Sequence, residues 1–100
     1  MEFFYGVYKE GNEVLIAICD ENVIDMVFHN NDKMIKIDVK KSFYGKNKGC
    51  KEDILELMKN ATILNLVGKD IIELAIEQGI INKECVLTIG ETVHAQRVKM

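Results

Sequence analysis

Val14-Leu15-Ile16-Ala17-Ile18-Cys19 is an unbroken apolar run, and its reading decides the fold. A strand with one wet face alternates apolar and polar residues, whereas a continuous run rich in β-branched side chains suits a strand covered on both faces. The run is therefore expected at the centre of a sheet. Upstream, the apolar and aromatic residues 3–8 make a second strand. Lys9-Glu10-Gly11-Asn12 between the two puts Gly-Asn where a hairpin needs a positive φ.

Downstream, Asp20 stands as an N-cap, and Val23, Ile24, Val27 and Phe28 recur at helical spacing until Asn30-Asn31-Asp32 breaks the pattern. That predicts a short helix. From Lys33 the period becomes two, with Ile35, Ile37 and Val39 alternating with Lys36, Asp38 and Lys40, a strand that shows lysines to water. Residues 42–49 carry two glycines and an asparagine without periodicity and read as a loop. Glu52 and Asp53 then open a helix, where they complement its dipole, and Ile54, Leu55, Met58 and Ala61 form its stripe.

Asn65-Leu66-Val67-Gly68 reads as punctuation before a third helix, which carries Ile71, Ile72, Leu74, Ala75 and Ile76 and stops at Gly79. Asn82-Lys83-Glu84 turns the chain, and Cys85–Ile89 and Thr92–Val98 flank Gly90-Glu91 as a closing hairpin. The order is ββαβααββ. The expected fold class is α+β: a single domain over residues 1–100, with a mixed, mainly antiparallel sheet of about five strands and helices mostly on one face.

Composition narrows the functional classes. Hydrophobic residues are 48 % and charged residues 29 % of the 100 positions, the proportions of a globular chain. No stretch approaches the ~20 apolar residues of a membrane span. Met1-Glu2-Phe3-Phe4 lacks the basic flank of a secretory signal. A cytoplasmic location without a membrane partner is expected. Cys19, Cys50 and Cys85 are odd in number and far apart, so neither a disulfide framework nor a zinc knuckle is indicated. A metal site would have to gather Cys19, Cys50, Cys85, His29 and His94 from distant positions, and none is expected, nor any other cofactor.

Charge is distributed unevenly. Between Lys33 and Lys51 seven lysines face one acid, Asp38, a local +6 in a chain of net charge −3. Lys36, Lys40, Lys41, Lys46 and Lys48 surround the aromatic pair Phe43-Tyr44. Ammonium groups neutralise phosphates and exposed rings stack on bases, the combination that holds single-stranded nucleic acid. The competing reading is an edge strand kept soluble by lysines, with both rings turned inward to anchor the loop. The segment holds no arginine, the side chain favoured for base edges and phosphates, and the acidity of the remainder argues against tight unspecific DNA binding.

Other motifs carry less. Cys19-Asp20 ends the central strand, and with His94 as base Cys19 would be a thiolate nucleophile. A buried cysteine beside a capping aspartate is the plainer alternative. Gly68-Lys69 lacks a Walker A sequence, because Ile63 stands where the first glycine belongs and Asp70 where Ser or Thr belongs. His94 and Gln96 share a face of the last strand and can hydrogen-bond a ligand or simply face water.

Five segments, Val14–Glu21, Ser42–Gly45, Asn65–Gly68, Glu73–Gly79 and Val93–Gln96, keep the order and residues of a known family, and the chain resembles the archaeal small-protein family DUF424 along nearly its whole length. The resemblance implies a small archaeal cytoplasmic protein and carries over no catalytic or binding residue. The leading functional expectation is a non-enzymatic module for RNA or a ribonucleoprotein. The alternatives are an enzyme with a Cys19/Asp20/His94 pocket and an adaptor that binds another protein.

Overall fold

In a computed structural model, which describes residues 1–31 and 34–99, the apolar run becomes β2 (Glu13–Asp20), buried from Ile16 to Asp20. The other elements in chain order are β1 (Glu2–Glu10), β3 (Val27–Asn30), β4 (Ile35–Asp38), α1 (Lys41–Tyr44), β5 (Asn47–Cys50), α2 (Lys51–Asn60), β6 (Ile63–Val67), α3 (Lys69–Glu77), β7 (Leu87–Ile89) and β8 (Thr92–Val98). Short 3-10 turns occupy Glu21–Val23 and Lys83–Cys85.

Six strands form one sheet in the order β5-β1-β2-β6-β8-β7. Among the described residues β2 and β6 pair in parallel and the other neighbours in this sheet are antiparallel. Both expected hairpins form across two residues, with Glu10 opposite Glu13 and Ile89 opposite Thr92. The period of two then sorts the side chains into two layers. Ile16 and Ile18 face α2 and α3, where they meet Ile54, Met58, Ile71 and Ala75. Ala17 and Cys19 face the other way, toward Val39, Tyr44, Phe28 and Val23. The second layer is made by α1 and by the separate two-stranded sheet of β3 and β4. The class, the mixed sheet and the two long helices on one face thus agree with the sequence reading.

The element order does not, and the corrections have physical causes. The short helix expected after Asp20 is a single 3-10 turn followed by β3. Asp25 adopts φ 62°, which no helix continues. Val27 and Phe28 belong to residue types that favour a pleated surface when it is offered. Of Asn65-Leu66-Val67-Gly68, read as punctuation, the first three residues belong to the central strand β6 and only Gly68 lies outside it. Asn65 masks it, because its amide interrupts the apolar run but is paired, accepting the Tyr44 hydroxyl at 2.6 Å. The supposed loop 42–49 holds the one-turn helix α1 and the edge strand β5, which β1 templates. The alternating segment is β4, with Lys36 exposed as expected, but it pairs with β3 rather than joining the main sheet.

Candidate functional site

Gly6 is what lets α1 dock. A Cβ there would run into the Phe43 carbonyl and the Tyr8 hydroxyl, so only glycine allows this approach. Tyr8 donates its hydroxyl to the Phe43 carbonyl at 2.7 Å, and its ring stacks on Phe43 with centroids 5.1 Å apart and planes 15° apart. Phe43 in turn meets Tyr44 edge-on at 5.0 Å. Tyr44 is only 4 % exposed. Burial, then the neighbouring Cys19, pushes its phenol well above the ordinary range. Of the two readings left open for the aromatic pair, the inward-turned one describes Tyr44 fully and Phe43 in part. Tyr44 is core, Phe43 is half-buried in a ring cluster, and the aromatic nearest the cations is Tyr8, which lies outside the basic segment. Nothing local marks Tyr8; only the strand period places it on the face of Phe4 and Gly6.

The lysines do not act as one patch. Lys48 is committed to Glu21 at 2.7 Å and Glu2 at 3.5 Å and lies over the Phe4 ring at 5.4 Å. The hydrogen bond to Glu21 leads the causes that raise its pKa. Lys51 begins α2 on the helical side of the sheet, and Lys33 lies outside the described residues. Lys36, Lys40 and Lys41 are exposed on β4 and at the start of α1. Lys46 follows that helix, its ammonium 4.8 Å from the Tyr8 ring centroid. Among the described residues these four have no carboxylate within ion-pair distance of the ammonium.

Cys19, Asp20 and His94 do not assemble. Cys19 pairs with Val67, and Val67 pairs with His94, so two strand spacings, ~10 Å, separate thiol and imidazole. Cys19 is wholly buried, and its thiol is pushed up to about 12, chiefly by burial and then by Asp20 and Asp25. The His94 ring is half-buried, with Nδ1 2.9 Å from the Leu66 carbonyl oxygen, and burial lowers its pKa. Gln96 shares its face of β8, exposed and opposite Asn65. Of the other cysteines and histidines, Cys50 caps α2 through Asp53, while Cys85 and His29 are exposed on separate elements. Among the described residues no three such ligands gather for a metal.

Asp20 does cap a helix, but not the one that follows it. Its Oδ2 accepts the Asp70 N–H at 2.9 Å and its Oδ1 the Ile71 N–H at 2.8 Å, so it caps α3 from fifty residues upstream. The local cap position is Gly68, at φ 123° and ψ 151°, where a Cβ would collide with the Asp20 carboxyl. Burial raises the Asp20 pKa, and the two N–H donors partly offset that. The place where a helix N-terminus would receive a phosphate is thus filled by the chain's own carboxylate.

Residues 8–100 match the sequence profile of a family described as a protein of unknown function, DUF424. The chain belongs to the DUF424 family. Comparison with curated proteins gives no match. The crystal structure of an uncharacterized conserved protein from Methanopyrus kandleri aligns at a TM-score of 0.72, covering 100 % of this chain and 95 % of that chain at 15 % identity, a likeness of fold.

In the DUF424 chain the Tyr8 ring also borders an open groove of about 710 Å³ at the start of β2 and β6. Val7, Leu15 and Ile63 line it with apolar side chains, and Lys9, Glu10 and Glu13 with charged ones. Lys46 over Tyr8 therefore lies between the cations around α1 and this groove. No helix among the described residues is long and apolar enough to cross a membrane.

Proposed function

We propose that this DUF424 chain is a non-enzymatic module that binds single-stranded RNA, free or within a ribonucleoprotein, in the cytoplasm. Phosphates would run along Lys36, Lys40, Lys41 and Lys46, and bases would enter the groove beside Tyr8. The observation that carries the reading is the Lys46 ammonium over the Tyr8 ring, where cations with no ion pair among the described residues adjoin a groove lined by Leu15 and Ile63. Stacking of bases on aromatic surface is tolerant of sequence, and ammonium groups supply the salt-dependent part of the affinity. Phe43 and Tyr44 serve the site as its mount, and Lys48, held by two carboxylates, contributes less than Lys46. Glu10 and Glu13 repel phosphate, so the strand leaves the groove on the lysine side.

Fluorescence anisotropy with a labelled oligouridine tests this. Four neutralised phosphates on a single strand give a log–log salt slope of about −3. Changing Lys36, Lys40, Lys41 and Lys46 together to Glu should abolish binding and leave the thermal transition in place. An affinity unchanged in that variant removes the proposal. Co-purification that survives ribonuclease would point to a protein partner instead.

A further inference from the structure

The β3–β4 ribbon stands apart from the main sheet, and among the described residues each of its strands has a strand neighbour on one side alone. An edge strand shows a row of unpaired N–H and C=O groups that invites another strand. The register fixes which groups of β4 these are. Just beyond the ladder, Val39 donates its N–H to the Met26 carbonyl at 2.9 Å and accepts the Asp25 N–H at 2.7 Å, so its backbone turns toward the β3 side. In an antiparallel pair the backbone groups of successive residues point to opposite sides. Ile35 and Ile37 therefore bond across to β3, and Lys36 and Asp38 present their backbone groups at the outer edge. The Asp38 carbonyl accepts the Lys40 N–H at 3.0 Å and retains a second lone pair.

The side chains of the same strand sort by face. Ile35 and Ile37 pack on the second layer yet are only half-buried, while Lys36 and Asp38 are exposed and, among the described residues, belong to no ion pair. A lysine by itself guards an edge against pairing. Asp38, two residues on, lifts that guard for one partner in particular, a strand of the same sequence. When β4 meets a copy of itself antiparallel about a two-fold axis at Ile37, Lys36 of each chain falls opposite Asp38 of the other, and Ile37 opposite Ile37. Outward backbone groups then face outward backbone groups, so Lys36 and Asp38 complete a hydrogen-bonded ladder across the axis. An opposite-charge pair stands on either side of that axis on the wet face.

The other edges lack this match. Along β7, Asn30 donates to the Thr88 carbonyl at 2.9 Å and accepts the Gly90 N–H at 2.7 Å, filling the place of a further strand. On β5, Lys48 is already held by Glu2 and Glu21. By the same alternation β3 turns the backbone of Val27 and His29 outward, and a copy of β3 offers them no opposite charge.

We propose that two copies of this chain associate through β4, edge to edge and antiparallel about Ile37, into a symmetric dimer. Strands of 4 residues bury little area, which places the contact among weak, transient interfaces. Sedimentation equilibrium of the whole chain at low salt tests it, and a monomer–dimer equilibrium is expected at concentrations up to about 1 mM. Asp38→Lys turns both charge pairs repulsive and should weaken association by about tenfold. Lys36→Glu should do the same and serves as the readout if the first variant is poorly folded. Lys36→Asp combined with Asp38→Lys exchanges the charges at constant net charge and should restore the wild-type constant to within about threefold. A chain that stays monomeric at the highest concentration, single variants that associate as the wild type does, or an exchanged variant that fails to recover overturns the proposal. Asp38→Lys keeps every lysine of the RNA surface and should bind oligouridine no more weakly than the wild type, so this inference and the RNA reading fail separately.

Discussion

Gly68→Ala should be among the most damaging single-methyl changes available to this fold. At φ 123° and ψ 151° the residue occupies backbone space that is essentially reserved for glycine, and the added Cβ would meet the Asp20 carboxyl. The backbone strain is worth ~1–3 kcal/mol. The collision adds ~1–2 kcal/mol more, whether the carboxylate is overpacked in place or pushed off the α3 N–H groups. A total of ~3–4 kcal/mol corresponds to a fall in Tm on the order of 20 °C for a domain of this size. Asp20→Ala alone abandons the Asp70 and Ile71 N–H groups but relieves a buried charge, and should cost ~1–2 kcal/mol. In the double variant the collision has no partner. The two changes together should therefore cost less than their sum by ~1–2 kcal/mol, well above the scatter of independent sites. Urea unfolding of the four proteins, followed by circular dichroism, measures the cycle. Strict additivity would refute the account of Asp20 as the cap that Gly68 makes room for.

Tyr44→Phe removes the donor to Asn65 and leaves a strand amide with an unmet acceptor, a loss of ~1–2 kcal/mol and about 5–15 °C in Tm by calorimetry. Iodoacetamide should label exposed Cys85 first, half-buried Cys50 next, and Cys19 only when the chain is unfolded, as peptide mapping of time points would reveal. Stability should depend on pH through two groups of opposite sign. The native pKa of His94 lies below 6.5, so the unfolded chain takes up the proton first and stability is lost as pH falls through that window; His94→Gln should flatten this loss in melts between pH 7.5 and 5. The native pKa of Asp20 is raised, so its contribution is fully present below the ordinary carboxyl range and declines as pH climbs through the raised value; Asp20→Asn should remove that slope.

What the sequence made legible was what local period and composition control. The run 14–19 declared a doubly covered strand, the stripes Ile54–Met58 and Ile71–Ala75 declared helices, and the two-residue turns declared both hairpins. What it hid depends on partners far along the chain. Asn65 disguises a central strand until Tyr44, twenty-one residues away, pairs with it. Asn47–Cys50 has little strand character of its own and becomes β5 because β1 offers an edge. Asp20 looked like the cap of the next turn, and α3 claimed it across the fold.

The same distinction explains the lysine segment. Composition counts charges but not directions, and direction here follows from which element each lysine begins or ends. Lys48 sits on an edge strand within reach of Glu2 and Glu21, Lys51 turns the corner onto the helical side, and Lys46 is thrown back over Tyr8 because Gly6 lets α1 lie flat on β1. The tie from Tyr44 to Asn65 then fixes α1 to β6, the strand whose far end leads into Gly68 and the Asp20 cap. A cationic surface mounted this way has little freedom to reshape itself around a ligand. If it holds RNA as proposed, its affinity should therefore respond to the positions of Lys41 and Lys46 more than to the total charge of the segment, so moving a lysine to a neighbouring exposed position at constant net charge should weaken that binding nearly as much as deleting it.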